Sequence, residues 1–410
     1  PVMPEATGCS EPARAERTTG PRVRRLARRL ARLAALALVL AAAPRAHAHE
    51  DGGESADPEV IHVVGSRSVE ATSKLTVPAA DFELRPLESG GQMLEAVPGA
   101  LTAQHTGGGK AEQYFLRGFD ADHGTDLAVS FDGVPANLRS HAHGQGFLDL
   151  HFVTKETIAQ LDVSKGPYSV RHGDFATAAA IDFVPWTSAP ESIVKLEAGE
   201  FDTWRAVGLA SPRGGAFDDG RASALVSIEA YHTDGPFRND EDLTRVSVFG
   251  SGSAMLGDDV RVFGHVLGYD ADWNASGLVP QRLVDAGALS RFGSLDPTEG
   301  GSSTRVQGKL GAEWTPTPQT RVNAFGYLVH YDLDLFSNFT FALADPANGD
   351  GIVQKDDRIQ AGGNLEIERL LDAPFDGALR GGLATRYDDA RVRLGTQTRR
   401  TPTGFTSDDD

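Results

Sequence analysis

From residue 193 onward, apolar and polar positions alternate with a period of two, the spacing that sends successive side chains of a β-strand to opposite faces. Segments 193–198, 205–210, 222–232, 244–255, 260–273, 304–314, 321–331, 358–366 and 378–386 carry this pattern, so roughly nine strands are expected. Their connections alternate in length. Residues 212–219, 257–259, 315–319 and 370–376 are short or turn-like, whereas 235–242, 274–303 and 336–357 are generally longer and more polar. Short turns at one end and long loops at the other are the asymmetry of an outer-membrane barrel, whose strands turn one face to lipid and the other to the lumen. A soluble sandwich or propeller requires no such asymmetry.

Upstream the pattern changes. Residues 66–185 mix short apolar runs, glycine-rich turns and one helical stretch, 92–97, ended by Pro98-Gly99, which reads as a compact α+β domain. Asp132-Gly133, set between two apolar runs, is a residue pair of the type I′ hairpin turn. Lys165-Gly166-Pro167 stops a strand, because proline has no N–H to continue the ladder. Nearer the start, residues 22–32 are basic, 33–43 apolar, and Ala46-His47-Ala48 is a small-x-small site, together a Sec-type signal peptide over 1–48. Residues 49–59 then form a polar, acidic tether leading into Val60-Ile61-His62-Val63-Val64. The expected organisation is therefore a signal peptide (1–48), a flexible N-terminus (49–65), an α+β domain (66–186) and a strand domain (187–410).

Charge and cysteine usage narrow the classes. The net charge is −18, and removing the leader takes away nine arginines and three glutamates, leaving −24. Such a chain repels phosphate backbones, and no basic face with interleaved aromatics offsets this, so nucleic acid is not an expected partner. Cys9 is the one cysteine and lies in the leader, so the mature chain has no disulfide, thiolate metal site or cysteine nucleophile. No run approaches about 18 consecutive apolar residues, so a membrane span must be made of strands. There is no G-x-S-x-G or H-E-x-x-H motif, and Gly107-Gly108-Gly109-Lys110 falls short of a P-loop because its frame ends in Ala111. An enzyme is not expected.

Three motifs in register carry a resemblance. Leu116-Arg117-Gly118-Phe119, then Phe131-Asp132-Gly133-Val134-Pro135, then residues 158–182, which read I-A-Q-L-D-V-S-K-G-P-Y-S-V-R-H-G-D-F-A-T-A-A-A-I-D, resemble in order and spacing the plug of TonB-dependent outer-membrane receptors. Where that family usually has Gly-Gly before Ile-Asn, this chain has Ala179-Ala180-Ile181-Asp182. Val60 to Val64 (Val60, Ile61, His62, Val63, Val64) looks like the TonB box, a strand able to add to a partner's sheet edge through main-chain hydrogen bonds; it also reads as the plug's first strand.

The resemblance implies an α+β plug domain followed by a transmembrane antiparallel β-barrel in the outer membrane of a Gram-negative bacterium. It implies energised uptake of a scarce ligand, probed first among iron–siderophores and other metal chelates, which are substrates and not cofactors. The implied partners are TonB with its inner-membrane energising complex, the ligand, and outer-membrane lipid. A non-transporting ligand sensor or adhesin is the alternative; it calls for a further folded periplasmic domain ahead of the box, and residues 49–59 are too short for one. Plugged lumens belong to barrels of about 22 strands. Nine strands cannot enclose such a plug, and residues 406–410 read as a polar loop, so the sequence reads as a plug with a partial barrel.

Seven of the twelve histidines fall between His62 and His172. His141 and His143 stand at i and i+2, which on an extended segment is one face, so they are a candidate metal pair. Asp120, Asp122, His123 and Arg139 are close in sequence and complete a candidate ligand-binding set at the plug's apex. The same histidines read equally as an internal hydrogen-bonded network stiffening a long loop. Arg117 and Lys165 are expected to pair with the acidic inner wall of the barrel. Acidic residues 345–357 read as a surface loop, since with Gly351 as the turn glycine of a calcium loop the first ligand position falls on Pro346.

Overall fold

A computed structural model describes residues 73–371 and 377–409. The expected signal peptide and the segment Val60 to Val64 lie outside the described residues. Eight short strands come first: β1 (Ser73–Pro78), β2 (Ala100–Ala103), β3 (Gln113–Leu116), β4 (Phe119–Asp120), β5 (Leu127–Phe131), β6 (Val134–Pro135), β7 (Ile158–Lys165) and β8 (Ala179–Pro185). They form one sheet of order β1-β7-β8-β5-β6, in which β5 and β8 run parallel, and a smaller sheet β2-β3-β4. The expected helical stretch at 92–97 is a 3-10 helix, Gly91–Ala96, with Met93 and Leu94 buried. Asp132 and Gly133 link β5 to β6 with φ of 52° and 75°, the two positive values a type I′ turn demands.

Ten strands follow: β9 (Ile193–Gly199), β10 (Thr203–Ala210), β11 (Ala222–Thr233), β12 (Leu243–Leu256), β13 (Val260–Asn274), β14 (Gly300–Thr317), β15 (Thr320–Ser337), β16 (Ile352–Leu371), β17 (Gly377–Thr398) and β18 (Thr401–Asp409). Each pairs antiparallel with its sequence neighbour in a single sheet. Two expectations are corrected. The count is ten among the described residues, because 401–409 is a strand and not a loop. Strands β14 to β17 also run 18 to 22 residues, well past the ends expected of them. The added residues 300–303, 352–357 and 387–398 are largely polar, so little alternation marks them, whereas 332–337 of β15 does alternate, with Leu333 and Leu335 buried; the inter-strand ladder carries these ends, as in the register Ile352↔Thr396. Among the described residues no helix is long and apolar enough to cross a membrane.

The two faces of the sheet invert the soluble rule. On β11, Val226 and Ile228 are exposed while Ser227 and Glu229 between and beside them are buried; on β16, Ile359 is exposed between buried Arg358 and Gln360. Exposed Val194, Leu196, Leu310, Leu328, Leu365, Leu379 and Leu383 extend the outer apolar face. An apolar exterior around a polar interior is the arrangement lipid selects. The interior is filled by the plug, whose Phe131 meets Phe249 of β12 edge to face at 5.6 Å. The two share one buried core that also takes in Tyr269, Trp273 and Tyr331 of the sheet.

Buried charge fastens the plug. Glu156 receives both terminal nitrogens of Arg205 (2.8 and 2.6 Å), Arg205 Nε reaches Glu229 at 2.7 Å, and the Thr154 hydroxyl donates to the other Glu229 oxygen at 2.8 Å. Asp132, in the hairpin turn, is met by Lys309 (2.9 Å) and His265 (2.8 Å) of the sheet. Arg171 pairs with Glu366. The expectation for Lys165 is corrected: its ammonium donates to the Pro98 carbonyl at 2.8 Å, within the plug, because the end of β7 packs beside the Pro98-Gly99 turn. Arg117 is exposed at φ 52° in the turn between β3 and β4, with its stem against Gly99 of the plug. Pairing with the sheet wall falls to Glu156, Asp132 and Arg171 instead.

Candidate functional site

The connections 234–242, 275–299 and 338–351 lie at one end of the sheet, with the tight turns 200–202 and 399–400; the short links 257–259 and 318–319 lie at the other. The plug's histidines gather at the long-loop end. Glycine-rich residues 107–109 pass beneath Trp273 at the top of β13, where a Cβ on Gly108 would overlap the indole. Glu241, from the loop after β11, accepts a hydrogen bond from the Gly108 N–H. This contact places His105 and Lys110 beside His123 and His143.

Three imidazoles meet there. His123 lies 5.3 Å from His105 and 4.5 Å from His143, ring centre to ring centre. Hydrogen bonding assigns their faces. His123 Nδ1 lies 2.9 Å from the Glu112 carbonyl, which can only accept, so Nδ1 carries the proton and Nε2 the lone pair. The Gln354 amide donates to the Ala142 carbonyl at 2.8 Å, which turns its oxygen toward His143 Nδ1 at 3.2 Å; His143 Nε2 is then also a bare acceptor. Lys110 donates to His105 Nε2 at 3.1 Å.

Burial, reinforced by the Lys110 charge, pushes His105, His123 and His143 each down to about 4, so all three are neutral at pH 7. Lys110 is itself lowered to about 8 by burial. Glu241 and Glu299, in the surrounding loops, are raised by burial to about 7. The apex thus offers neutral nitrogen acceptors, one buried ammonium and two readily protonated carboxyls.

The expected site residues divide. Asp122, exposed, stands with its carboxylate 3.8 Å from His123 Nε2, and Asp120 supports it by accepting the Asp122 N–H at 3.0 Å. His143 is half-buried at the apex. His141 is not: its ring stacks on Phe147 at 4.0 Å, its Nδ1 accepts the His143 N–H at 3.1 Å, and burial drives it well below the ordinary imidazole value. The His141–His143 metal pair is therefore corrected. The segment is no extended strand but a loop closed by the Leu138–Phe147 bridge, so i and i+2 do not share a face. Arg139 is also apart, paired with Asp174 at 2.8 Å on the wall of a cavity of about 710 Å³ between the plug and β15–β17. His105, Lys110, Trp273, Gln354 and Glu299 were not anticipated; only the glycine run before Lys110 hinted at a close approach.

Residues 67–180 match the family described as the TonB-dependent Receptor Plug Domain. No curated protein matches the chain by sequence. Among solved structures it is similar in fold to the ferric citrate transporter FecA in the unliganded form (TM-score 0.66, 14% identity, 83% of this chain and 51% of that one). It is similar also to the copper transporter OprC (0.60, 17%, 82% and 48%). The ferric yersiniabactin uptake receptor FyuA from Yersinia pestis gives 0.64, 14%, 81% and 50%. The chain spans about half the length of these structures.

Proposed function

Given that residues 67–180 match the TonB-dependent receptor plug family and that the described residues are similar in fold to such receptors, we propose that the protein serves energised uptake of a metal chelate across the outer membrane. The observation that carries this is the neutral histidine cluster of the plug held at the long-loop end, facing the side from which a ligand arrives. Bare Nε2 acceptors on His123 and His143, with Lys110 beside them, suit a chelate that presents both hydrogen-bond donors and anionic oxygens.

The coupling follows from how the apex is held. The loop carrying His141 and His143 hangs on β16 through Gln354 to the Ala142 carbonyl and Arg358 to the Ser140 carbonyl. A ligand that reorders this loop acts on the part of the plug that these two contacts hold to the sheet. Residues 60–64 serve as the strand that TonB captures, following a Sec-type leader, and the alternating outer face of the sheet contacts lipid. The structures of similar fold include carriers named for ferric citrate, copper and ferric yersiniabactin, which supports a metal-bearing ligand and sets the probes.

The test is calorimetric titration of the folded protein in detergent with ferric citrate, a ferric catecholate siderophore and copper chelate, followed by addition of the periplasmic domain of TonB. Saturable binding of a chelate that raises the affinity for TonB, and loses that effect in Val63→Pro, supports the proposal. Absence of saturable binding by all three classes, or TonB binding indifferent to Val63→Pro, contradicts it.

A further inference from the structure

At the long-loop end of the sheet, the turn between β9 and β10 meets the end of β11. Asp202 stands in that turn, Thr233 ends β11, and Asp234 follows it. The two segments are stitched by the Asp234 N–H donating to the Phe201 carbonyl at 2.8 Å and by the Thr203 and Thr233 hydroxyls at 2.6 Å. This brings Asp202, His232 and Asp234 together with one donor atom from each within 4.8 Å of the others, the one such trio of His, Asp or Glu among the described residues.

His232 is 4% exposed, and its Nε2 is buried without a hydrogen-bond partner among the described residues. That nitrogen points between the two carboxylates, 3.6 Å from Asp234 Oδ1 and 3.8 Å from Asp202 Oδ2. The other ring nitrogen lies 3.3 Å from the Thr244 hydroxyl, which can donate to it or accept from it; when the hydroxyl accepts, the Nε2 lone pair faces inward. In that tautomer something positive among the three groups would meet the Nε2 lone pair and both carboxylates.

The spacing says what. A shared proton would draw nitrogen and oxygen to about 2.8 Å, the length of a charge-assisted hydrogen bond. Donors around one tetrahedral zinc-like ion, bound at about 2.0 to 2.2 Å, stand roughly 3.4 Å from each other. The observed 3.6 and 3.8 Å are too long for the proton and within a few tenths of an ångström of the ion. Imidazole nitrogen selects against calcium and magnesium, which take oxygen ligands, and in favour of zinc, copper, nickel or cobalt. Two carboxylates and an imidazole nitrogen are a donor set that suits one such dication, with Asp202 on the open side and His232 and Asp234 buried.

We propose that Asp202, His232 and Asp234 bind one transition-metal dication, with water completing its coordination, as a clip that fastens the β9–β10 turn to the loop after β11. This rim site is separate from the ligand cluster on the plug and does not depend on the identity of any transported chelate. It gives the long-loop end a metal requirement of its own.

Trp204 supplies the readout, its ring centre 5.8 Å from that of His232. The folded protein carrying His143→Ala, to weaken binding at the plug apex, is titrated with copper(II) under fluorescence detection and with zinc by calorimetry. One equivalent of copper is expected to quench Trp204, zinc to reverse the quench, and Trp204→Phe to abolish the quench while calorimetric zinc binding persists. His232→Asn and Asp202→Asn should each weaken zinc binding at least tenfold; Asp202, in an exposed turn, decides the matter if the His232 variant does not fold. Zinc binding unchanged in Asp202→Asn, binding without effect on Trp204, or no one-to-one binding at micromolar metal overturns the proposal.

Discussion

Arg205 of β10 grips Glu156 of the plug through two parallel hydrogen bonds of 2.8 and 2.6 Å, and the same guanidinium holds Glu229 with its Nε at 2.7 Å. All three groups are nearly out of contact with solvent. Removing the cation leaves two carboxylates buried together, a loss of about 3 to 5 kcal/mol for a broken buried pair. Arg205→Ala should therefore lower the urea midpoint of the folded protein far more than Glu156→Gln, which keeps a hydrogen-bond acceptor for Arg205. Equal midpoints for the two variants would show that the pairing does not hold the plug.

The apex and this fastening should separate on acidification. Glu156 is pushed up by burial but pulled further down by Arg205, to about 2. With a folded value below the unfolded 4.5, its contribution is complete above pH 4.5 and is lost only as pH falls toward 2. The three apex histidines, at about 4 when folded and 6.5 when unfolded, bind more protons in the unfolded chain between those values, so their contribution falls from pH 6.5 downward. Glu241 and Glu299, raised to about 7, act in the opposite sense and favour the folded apex as pH drops below 7. Protection of residues 104–110 against hydrogen exchange should thus peak near pH 6 to 7 and decline by pH 4.5, while the plug stays docked. His143→Ala should flatten the acid side of that profile.

Gly108 has φ +68° and lies under the Trp273 indole, so any side chain there is both strained and obstructed. Gly108→Val should lift the loop off β13, shift Trp273 emission toward that of a solvated indole, and weaken chelate binding at least tenfold. Gly214→Ala, at a positive φ with nothing near its missing Cβ, controls for backbone strain alone and should leave both readings in place.

On β17, Leu379, Leu383 and Tyr387 form a row of exposed side chains, all about two-thirds accessible, with Leu383 in the middle and Leu365 directly across on β16. Leu383→Arg should cost about 2 to 4 kcal/mol in folding into lipid vesicles, the penalty of an arginine near the bilayer midplane. In detergent-free water the same change should improve solubility. No penalty in vesicles would place this face away from lipid.

Much of the fold was legible because strand alternation is a local signal. The Asp132-Gly133 turn and the stop at Lys165-Gly166 were equally local. The polar ends of β14, β16 and β17 and all of β18 were not, since residues such as Lys355 and Arg393 read as loop until their cross-strand partners are known. At the site, a histidine-rich plug segment was visible and placed His123 and His143 correctly near each other. The inward rotation of His141 was not, because it depends on the Leu138–Phe147 bridge and on Phe147 as a stacking partner. Gln354 and Trp273 were invisible for another reason. They reach the plug from strands far along the chain, and nothing in their own surroundings distinguishes them from other wall residues.

The most direct test of the plug apex as the ligand-receiving face is Trp273 fluorescence during titration with ferric citrate and ferric catecholate siderophores, for the folded wild-type protein and for His123→Ala, His143→Ala and Asp345→Ala. A saturable change that weakens at least tenfold in the two histidine variants, and is unaffected by Asp345→Ala in the 338–351 loop, is the expected result. Full-affinity binding in both histidine variants, or binding lost only with Asp345, would contradict it and move recognition from the plug to the loops.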